Sequence, residues 1–233
     1  MIETSGAATK PRSDLGVRTL SGIAMMLIAS VAILFGGWVF RAFVAIVAIG
    51  LLREWFRLIW KLRPDGVGRL LWSLGGILYI GIATATLAAL REISELYLVL
   101  AVIGIVIATD TGAYFAGRTF GGPKIAPKIS PSKTWSGLGG GMVAAAILAS
   151  AVGSQFEGFA IWQPFVGAGL AIVAQAGDFF ESWMKRRAGV KDSGSLLPGH
   201  GGLLDRADGL LAVLFAVAVL LTAVHLDAGA LNF

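Results

Sequence analysis

The chain reads as an all-α integral membrane protein of about seven transmembrane helices, with its active-site loops on the cytoplasmic side. Three observations carry that reading. Hydrophobic residues make up 56% of the sequence and charged residues only 14%, against about 25% charged in a soluble domain. The mean hydropathy is +0.79, more apolar surface than a soluble core of this size could hide. The apolar residues also gather in runs near the ~20 needed to cross the hydrocarbon core, and the basic residues sort to one side of those runs.

The elements follow in order. Residues 1–17 form a polar, basic tail with Lys10 and Arg12, placed in the cytoplasm. The tail and the apolar run after Ile23 resemble the first two regions of a signal peptide. Gly36-Gly37 leads straight into a second apolar run, however, so an uncleaved helical hairpin is expected. The predicted spans are 18–35, 38–60, 68–90, 96–117, 136–155, 161–183 and 207–226, and residues 18–233 form a single polytopic catalytic domain. With the N-terminus inside, alternation puts nearly every Lys and Arg in cytoplasmic segments and leaves only Arg41 and Arg91 outside. This satisfies the positive-inside rule, and a missing or extra span would scramble the split. Trp38, Trp55, Trp60, Trp72, Trp135, Trp162 and Trp183 fall near span ends and are expected to form an interfacial belt. Arg53-Glu54, inside the second span, are expected to pair with loop charges in a structural role. Small-residue runs such as Gly137 to Gly141 predict close helix packing.

Composition excludes several function classes. The chain has no cysteine, so disulfides and thiolate metal sites are out. The formal net charge of +5 suits anionic lipid head groups and a polyphosphate substrate rather than nucleic acid. No internal repeat or linker marks a second domain.

The stretch Ser182–Asp208 breaks the apolar pattern. Lys185, Arg186, Arg187, Lys191, Asp192, His200, Asp205, Arg206 and Asp208 interleave cations and carboxylates around a turn of Pro198, Gly199, Gly201 and Gly202. Hard oxygen ligands spaced in this way suit Mg²⁺ shared with a substrate phosphate. Neighbouring Lys and Arg can take the remaining phosphate oxygens, and glycines allow the backbone a close approach. A solvated loop would collect the cations, but not this whole constellation. Asp178 lies one turn upstream, at membrane depth, where a carboxylate is expensive and points to function. On a helix, Asp178, Glu181, Ser182 and Lys185 share one face. That face predicts that Asp178 meets Asp205 and Asp208 in a Mg²⁺ site; the competing reading pairs Asp178 with Lys185 or Arg186. His200, flanked by glycines, fits donation to a phosphate or orientation of a carboxylate better than metal ligation. Ser182 has no neighbouring general base, which argues against a serine nucleophile.

A second polar segment spans residues 109–137. Asp110 ends the fourth apolar run, and Arg118, Lys124, Lys128 and Lys133 follow among glycines, prolines and serines. Such a loop can wrap a triphosphate, with Ser130, Ser132 and Thr134 as short donors. A basic loop binding anionic lipid would look similar, and the P-loop pattern is absent.

The first stretch resembles the phosphatidate cytidylyltransferase (CDP-diglyceride synthase) family. Its motif S-x-x-K-R-x-x-x-x-K-D-x-x-x-x-x-P-G-H-G-G-x-x-D-R-x-D is matched at every fixed position from Ser182 to Asp208. The second segment resembles the family's D-T-x-A-Y-x-x-G at Asp110-Thr111-Gly112-Ala113-Tyr114…Gly117, and its S-P-x-K-T-x-E-G from Ser130 to Gly137. One position departs, since the family's usual Glu is Ser136 here. The family's Gly-Asp upstream of the motif corresponds to Gly177-Asp178, and its metal-binding aspartates to Asp178 and Asp205.

The resemblance implies the reaction CTP + phosphatidate → CDP-diacylglycerol + pyrophosphate in phospholipid biosynthesis. It further implies Mg²⁺ at Asp178 and Asp205, with a second cation left open, and Asp208 is assigned beside them as a helper. Asp110, Tyr114, Lys124, Lys128, Ser130, Ser132, Lys133 and Thr134 are assigned to the nucleotide. Lys185, Arg186, Lys191, Asp192, His200 and Arg206 are assigned to the reacting groups. Family members are commonly longer, so a homodimer partner is expected to complete the unit, in a bacterial inner membrane. A CTP-dependent polyprenol or phytol kinase stays open as an alternative, and a transporter using Asp110 and Asp178 stands further off. CDP-alcohol phosphotransferases fit worse, because their D-G-x-x-A-R signature is absent.

Overall fold

The computed structural model describes residues 13–63, 65–94, 96–153, 161–197 and 199–230. Lys10 and Arg12 of the tail, and Pro198 of the glycine turn, lie outside these. Within the described residues seven helices follow one another. They are α1 (Ser13–Phe35), α2 (Gly37–Leu62), α3 (Gly66–Ile93), α4 (Tyr97–Phe120), α5 (Trp135–Gly153), α6 (Gln163–Arg187) and α7 (Leu204–Ala230). Each overlaps one expected span, with ends displaced by a few residues. Four stretches are long and apolar enough to cross a membrane by length and composition: α3, α4, α5 and Leu204–Ala223 of α7. The apolar part of α1, Thr19–Phe35, is shorter, α2 carries Arg41, Arg53 and Glu54, and α6 carries Gln175 and Asp178. Large apolar side chains such as Leu20, Phe35, Ile46, Leu71, Phe120 and Ile147 face outward. The protein is therefore an all-α membrane protein in architecture.

One element departs from the expected loop. Between α4 and α5 the chain forms an antiparallel hairpin of β1 (Lys124–Ala126) and β2 (Ser130–Thr134), with Lys124 opposite Thr134 and Ala126 opposite Ser130. Its few residues carry proline and serine rather than the β-branched alternation that announces a strand, so composition hid it. The two-stranded ladder is held at its base, where the Trp135 N–H donates to the Pro123 carbonyl at 3.2 Å.

Short connections fix the helix order. A single residue, Gly36, joins α1 to α2 at φ +62°, a left-handed conformation that side chains with a Cβ resist. Arg91 from the end of α3 lies against it and donates from Nε to the Ile33 carbonyl at 3.0 Å, satisfying a C-terminal carbonyl of α1. Asp65 caps α3 by accepting from the Gly68 N–H at 2.5 Å, as N-cap carboxylates do.

The core runs through α2–α7 and includes Phe40, Leu51, Leu58, Ile80, Val99, Ala145, Met184 and Leu214. A tight seam lies between α4 and α5, where a Cβ on Gly112 would stand 2.6 Å from the Gly140 carbonyl oxygen and one on Gly141 2.9 Å from that of Thr109. Backbones approach this closely only where small residues line both faces. The tryptophans divide. Trp38, Trp60, Trp135 and Trp162 are exposed, as a belt requires. Trp55 is buried, and it clusters with Trp72, Trp183, Tyr79 and Phe180 where α2, α3 and α6 meet. Helix periodicity turns these three indoles inward, which proximity to a span end alone did not reveal.

Gly112→Val should overpack the α4–α5 seam and lower stability by about 1–3 kcal/mol. Gly139, which has open space around its Cβ position, should accept alanine without loss. Thermal unfolding in detergent compares the two variants.

Candidate active site

The site is built in two halves that meet at α6. The first is a cavity of about 420 Å³ between α4, the β-hairpin and α5. Helical spacing puts Asp110, Tyr114 and Gly117 on the face of α4 that lines it, together with Arg118. The hairpin contributes Lys124, Ser132, Lys133 and Thr134, and α6 contributes Gln175. Thr134 is buried, and its hydroxyl accepts from the Gly137 N–H at 3.1 Å, the N-cap bond that starts α5. Lys124 Nζ donates to the Ser132 carbonyl at 3.3 Å across the hairpin, and Arg118 donates to the Tyr114 hydroxyl at 3.1 Å.

Of the eight residues expected at the nucleotide, six line this cavity. Lys128 and Ser130 do not, and Lys128 stands exposed in the hairpin's turn. Ser136 explains itself locally. Its hydroxyl donates to the Gly121 carbonyl and contacts the Thr134 hydroxyl, so it braces the base of the hairpin rather than offering charge to the cavity. Arg118 and Gln175 were not assigned to the nucleotide. Gln175 stands three residues before Asp178 in an apolar run, and that spacing was its legible signal.

The second half is the loop between α6 and α7. Asp205, in the first turn of α7, accepts from the Gly202 N–H at 2.8 Å, the Ser193 N–H at 3.0 Å and the Ser193 hydroxyl at 2.9 Å. Its other oxygen pairs with Lys185 Nζ at 2.6 Å, and Lys185 also pairs with buried Glu181 one turn earlier on α6. One ammonium thus serves two carboxylates. Gly201 sits at φ +83°, and the turn reverses through a Leu197–Gly201 bridge. Lys191 and Asp192 are exposed on this loop. Arg186 is exposed and reaches the Ile129 carbonyl in the hairpin's turn at 3.4 Å.

His200 reaches back to the first helix. Its Nδ1 lies 3.0 Å from the Ser21 hydroxyl, and its ring packs on Gly22, both on α1. Arg206 donates to the His200 carbonyl at 3.0 Å. The imidazole therefore docks the loop on the first helix, and Arg206 braces that turn. Glu54 is not paired with loop cations: it is 2% exposed, accepts from the Leu204 N–H at 2.8 Å and lies 3.2 Å from the Ser193 hydroxyl.

Lys133 joins the halves. Its Nζ pairs with Asp178 at 2.5 Å and lies over the Phe179 ring. Ser182 donates to the other Asp178 oxygen at 3.3 Å. Asp208 accepts from the Gly209 N–H at 2.8 Å. Its backbone presses on Gly177, where a Cβ would come within 2.7 Å of the Asp208 carbonyl oxygen. So α6 and α7 touch at the level of Asp178.

Among the described residues no three acidic or histidine side chains stand together as a ready ligand set. Asp205 spends its oxygens on Lys185 and the loop. Asp178, by contrast, is paired with the Lys133 ammonium. Hard carboxylate oxygens fit a divalent cation by donor chemistry, and Asp178 and Asp208 supply them where α6 and α7 touch.

A family model described as "Cytidylyltransferase family" matches residues 67–224. Curated relatives carry the name phosphatidate cytidylyltransferase. That of Brucella suis biovar 1 (strain 1330) is 46% identical over 144 residues, 60% of this chain and 53% of that protein. That of Rickettsia felis is 35% identical over 223 residues, 91% of this chain and 95% of that protein. The Rickettsia conorii protein is 35% identical over 211 residues, 87% and 89% respectively. The chain thus spans about half the length of the Brucella proteins it matches and nearly the whole of the Rickettsia ones.

Lys185→Met would leave Glu181 and Asp205 facing each other without a cation. Breaking a buried pair in this way should cost about 3–5 kcal/mol, read as lost thermal stability in detergent. Lys191→Ala, on the exposed part of the same loop, should stay within about 0.5 kcal/mol of the parent.

Proposed function

The chain belongs to the cytidylyltransferase family, and from that premise we propose that it transfers CMP from CTP to phosphatidate, forming CDP-diacylglycerol and pyrophosphate. A lipid phosphate oxygen attacks the α-phosphorus of CTP. The new P–O bond forms as the bond to the β-phosphate oxygen breaks, and the electron pair leaves with pyrophosphate. The nucleophile is already anionic, so the work is positioning and charge neutralisation rather than proton abstraction.

The observation that carries this reading is the cavity under the β-hairpin, lined by Lys124, Lys133 and Arg118 and bounded by Asp110, with Asp178 at its α6 wall through the Lys133 pair. Its volume of about 420 Å³ falls within the range of small-molecule sites, about 300–1,000 Å³. The three cations receive the triphosphate, with the Ser132 and Thr134 hydroxyls as donors. Asp178 and Asp208, with Asp205 at the start of α7, are the groups that would hold Mg²⁺, which when bound offsets negative charge on the phosphates. Arg186, Lys191 and Arg206, on and beside the exposed loop, attract the lipid phosphate, while Lys185 and Asp205 keep that loop in shape. His200 acts at one remove, by holding the loop to α1.

Membrane placement follows the same reading. All seven helices cross a bacterial inner membrane, with the N-terminus, the hairpin and the α6–α7 loop in the cytoplasm. The positive-inside distribution supports this, as does a soluble nucleotide meeting a lipid at the membrane surface. The names of the relatives favour cytidylyl transfer over γ-phosphoryl transfer to a lipid alcohol.

Purified protein with Mg²⁺, phosphatidate and CTP labelled at the α-phosphorus should place label in the lipid fraction and release pyrophosphate. Asp178→Asn should slow this by about 10²–10³-fold, the size seen when one preorganised electrostatic group is lost. Unlabelled lipid, with CDP accumulating only when a polyprenol is supplied, would overturn the assignment in favour of the kinase.

A further inference from the structure

Glu54 lies in the middle of α2, ahead of the residues the family model matches. It is nonetheless bonded to the α6–α7 loop across 139 and 150 residues of chain. Its Oε2 accepts the N–H of Leu204, the first residue of α7. That N–H has no partner within its own helix, so a carboxylate from a distant helix caps it and complements the positive end of the helix dipole. The same oxygen lies 3.2 Å from the Ser193 hydroxyl, which lies 2.9 Å from Asp205 Oδ2. A hydroxyl has one proton to donate, so Ser193 is held between two carboxylates and its rotamer is tied to both.

The backbone around Glu54 is shaped to it. A Cβ on Gly194 would fall 2.0 Å from Glu54 Oε1, and one on Gly202 would fall 2.7 Å from Oε2. The loop therefore closes on the carboxylate with glycine on both sides. Glu54 Oε1 is buried with no hydrogen-bond partner among the described residues. An unpaired buried carboxylate oxygen is costly. Packing alone would be served better by an apolar side chain, so the carboxylate is retained for what it holds.

We propose that Glu54 is a positioning residue for the transfer reaction: through Ser193 and the α7 N-terminus it fixes Asp205, and with it Lys185 and the α6–α7 loop that carries Lys191 and leads into Arg206. The proposal rests on the cytidylyltransferase reading for its kinetic consequence and on geometry alone for the anchoring. The nucleotide cavity is lined by α4, the hairpin, α5 and α6, not by α2. Loss of Glu54 should therefore act on turnover and leave CTP binding in place.

The experiment measures kcat per CTP-binding site, with sites counted by equilibrium dialysis of labelled CTP, together with amide hydrogen exchange. Glu54→Ala should lower kcat by about 10–100-fold, the usual scale for a group that orients catalytic residues, with the KM for CTP within about twofold of the parent. Exchange protection should fall at residues 193–205 and persist at 124–134. Glu54→Gln, which keeps an oxygen to accept from Leu204, should recover most of the protection and turnover. Glu54→Ala combined with Ser193→Ala should be no slower than the worse single variant, because both cut one connection. If Glu54→Ala does not fold, Ser193→Ala carries the kinetic test. A purely structural role would give fewer CTP-binding sites with unchanged kcat per site, and that result overturns the proposal. So does unchanged protection at residues 193–205. Should the parent protein label no lipid, the functional reading fails, while the exchange data still decide whether Glu54 holds the loop.

Discussion

The Lys185 ammonium, placed between Glu181 and Asp205, is the interaction on which the functional end of the molecule depends. Two carboxylates brought together in a partly desolvated place repel unless a cation stands between them, and the penalty for leaving one unpaired is severe. With the lysine in place the repulsion becomes a joint. Glu181 and Lys185 come from the last turns of α6 and Asp205 from the first turn of α7, so the joint sets how one helix ends and the next begins. The loop between them has little hydrophobic reason to take one shape. It takes one because Asp205 gathers the N–H groups of Ser193 and Gly202, while Glu54 gathers that of Leu204.

The other half of the site depends on closeness rather than charge. Glycines on α4 and α5 let the two backbones meet, and the β-hairpin grows out of that seam through the Thr134 cap and the Ser136 brace. A cavity can open under the hairpin because its base is held by backbone and hydroxyl bonds, leaving the Lys124 and Lys133 side chains free to turn inward. The Lys133–Asp178 pair then couples this half to α6. The molecule is thus two independently braced units sharing one helix, and α6 presents Gln175 and Asp178 to one unit and Glu181 and Lys185 to the other.

Much of this was legible in the sequence, for identifiable reasons. The helices were, because membrane crossing demands long apolar runs and the runs are interrupted by charge or glycine. The cavity-lining residues on α4 were, because Asp110 at membrane depth stands out and helical spacing carries Tyr114 with it. The hairpin was not, since a ladder this short is stabilised by its ends rather than by strand-forming residues. The bonds of Asp205 were not, because sequence shows a carboxylate but not how many donors it already serves. Glu54 was noticed but paired with the wrong partners: the sequence suggests loop cations, whereas a backbone N–H and a hydroxyl come close only once α2 packs beneath the loop. Likewise His200 reached α1 through the fold, where no local pattern points. The three inward tryptophans show the same limit, since position along a helix does not fix the direction a ring takes.

That inward cluster has an optical consequence. Trp72 and Trp183 stack with ring centroids 5.9 Å apart, and Trp55 stands 6.4 Å from Trp72. Indoles this close exchange excitation, and their near-ultraviolet dichroism arises from mutual orientation rather than from each ring alone. The four remaining indoles face outward, where their emission follows the polarity of the surrounding medium. The chain therefore carries two spectroscopically distinct populations of one chromophore. One senses its surroundings, and the other records whether α2, α3 and α6 are in register, with no label, nucleotide or turnover required.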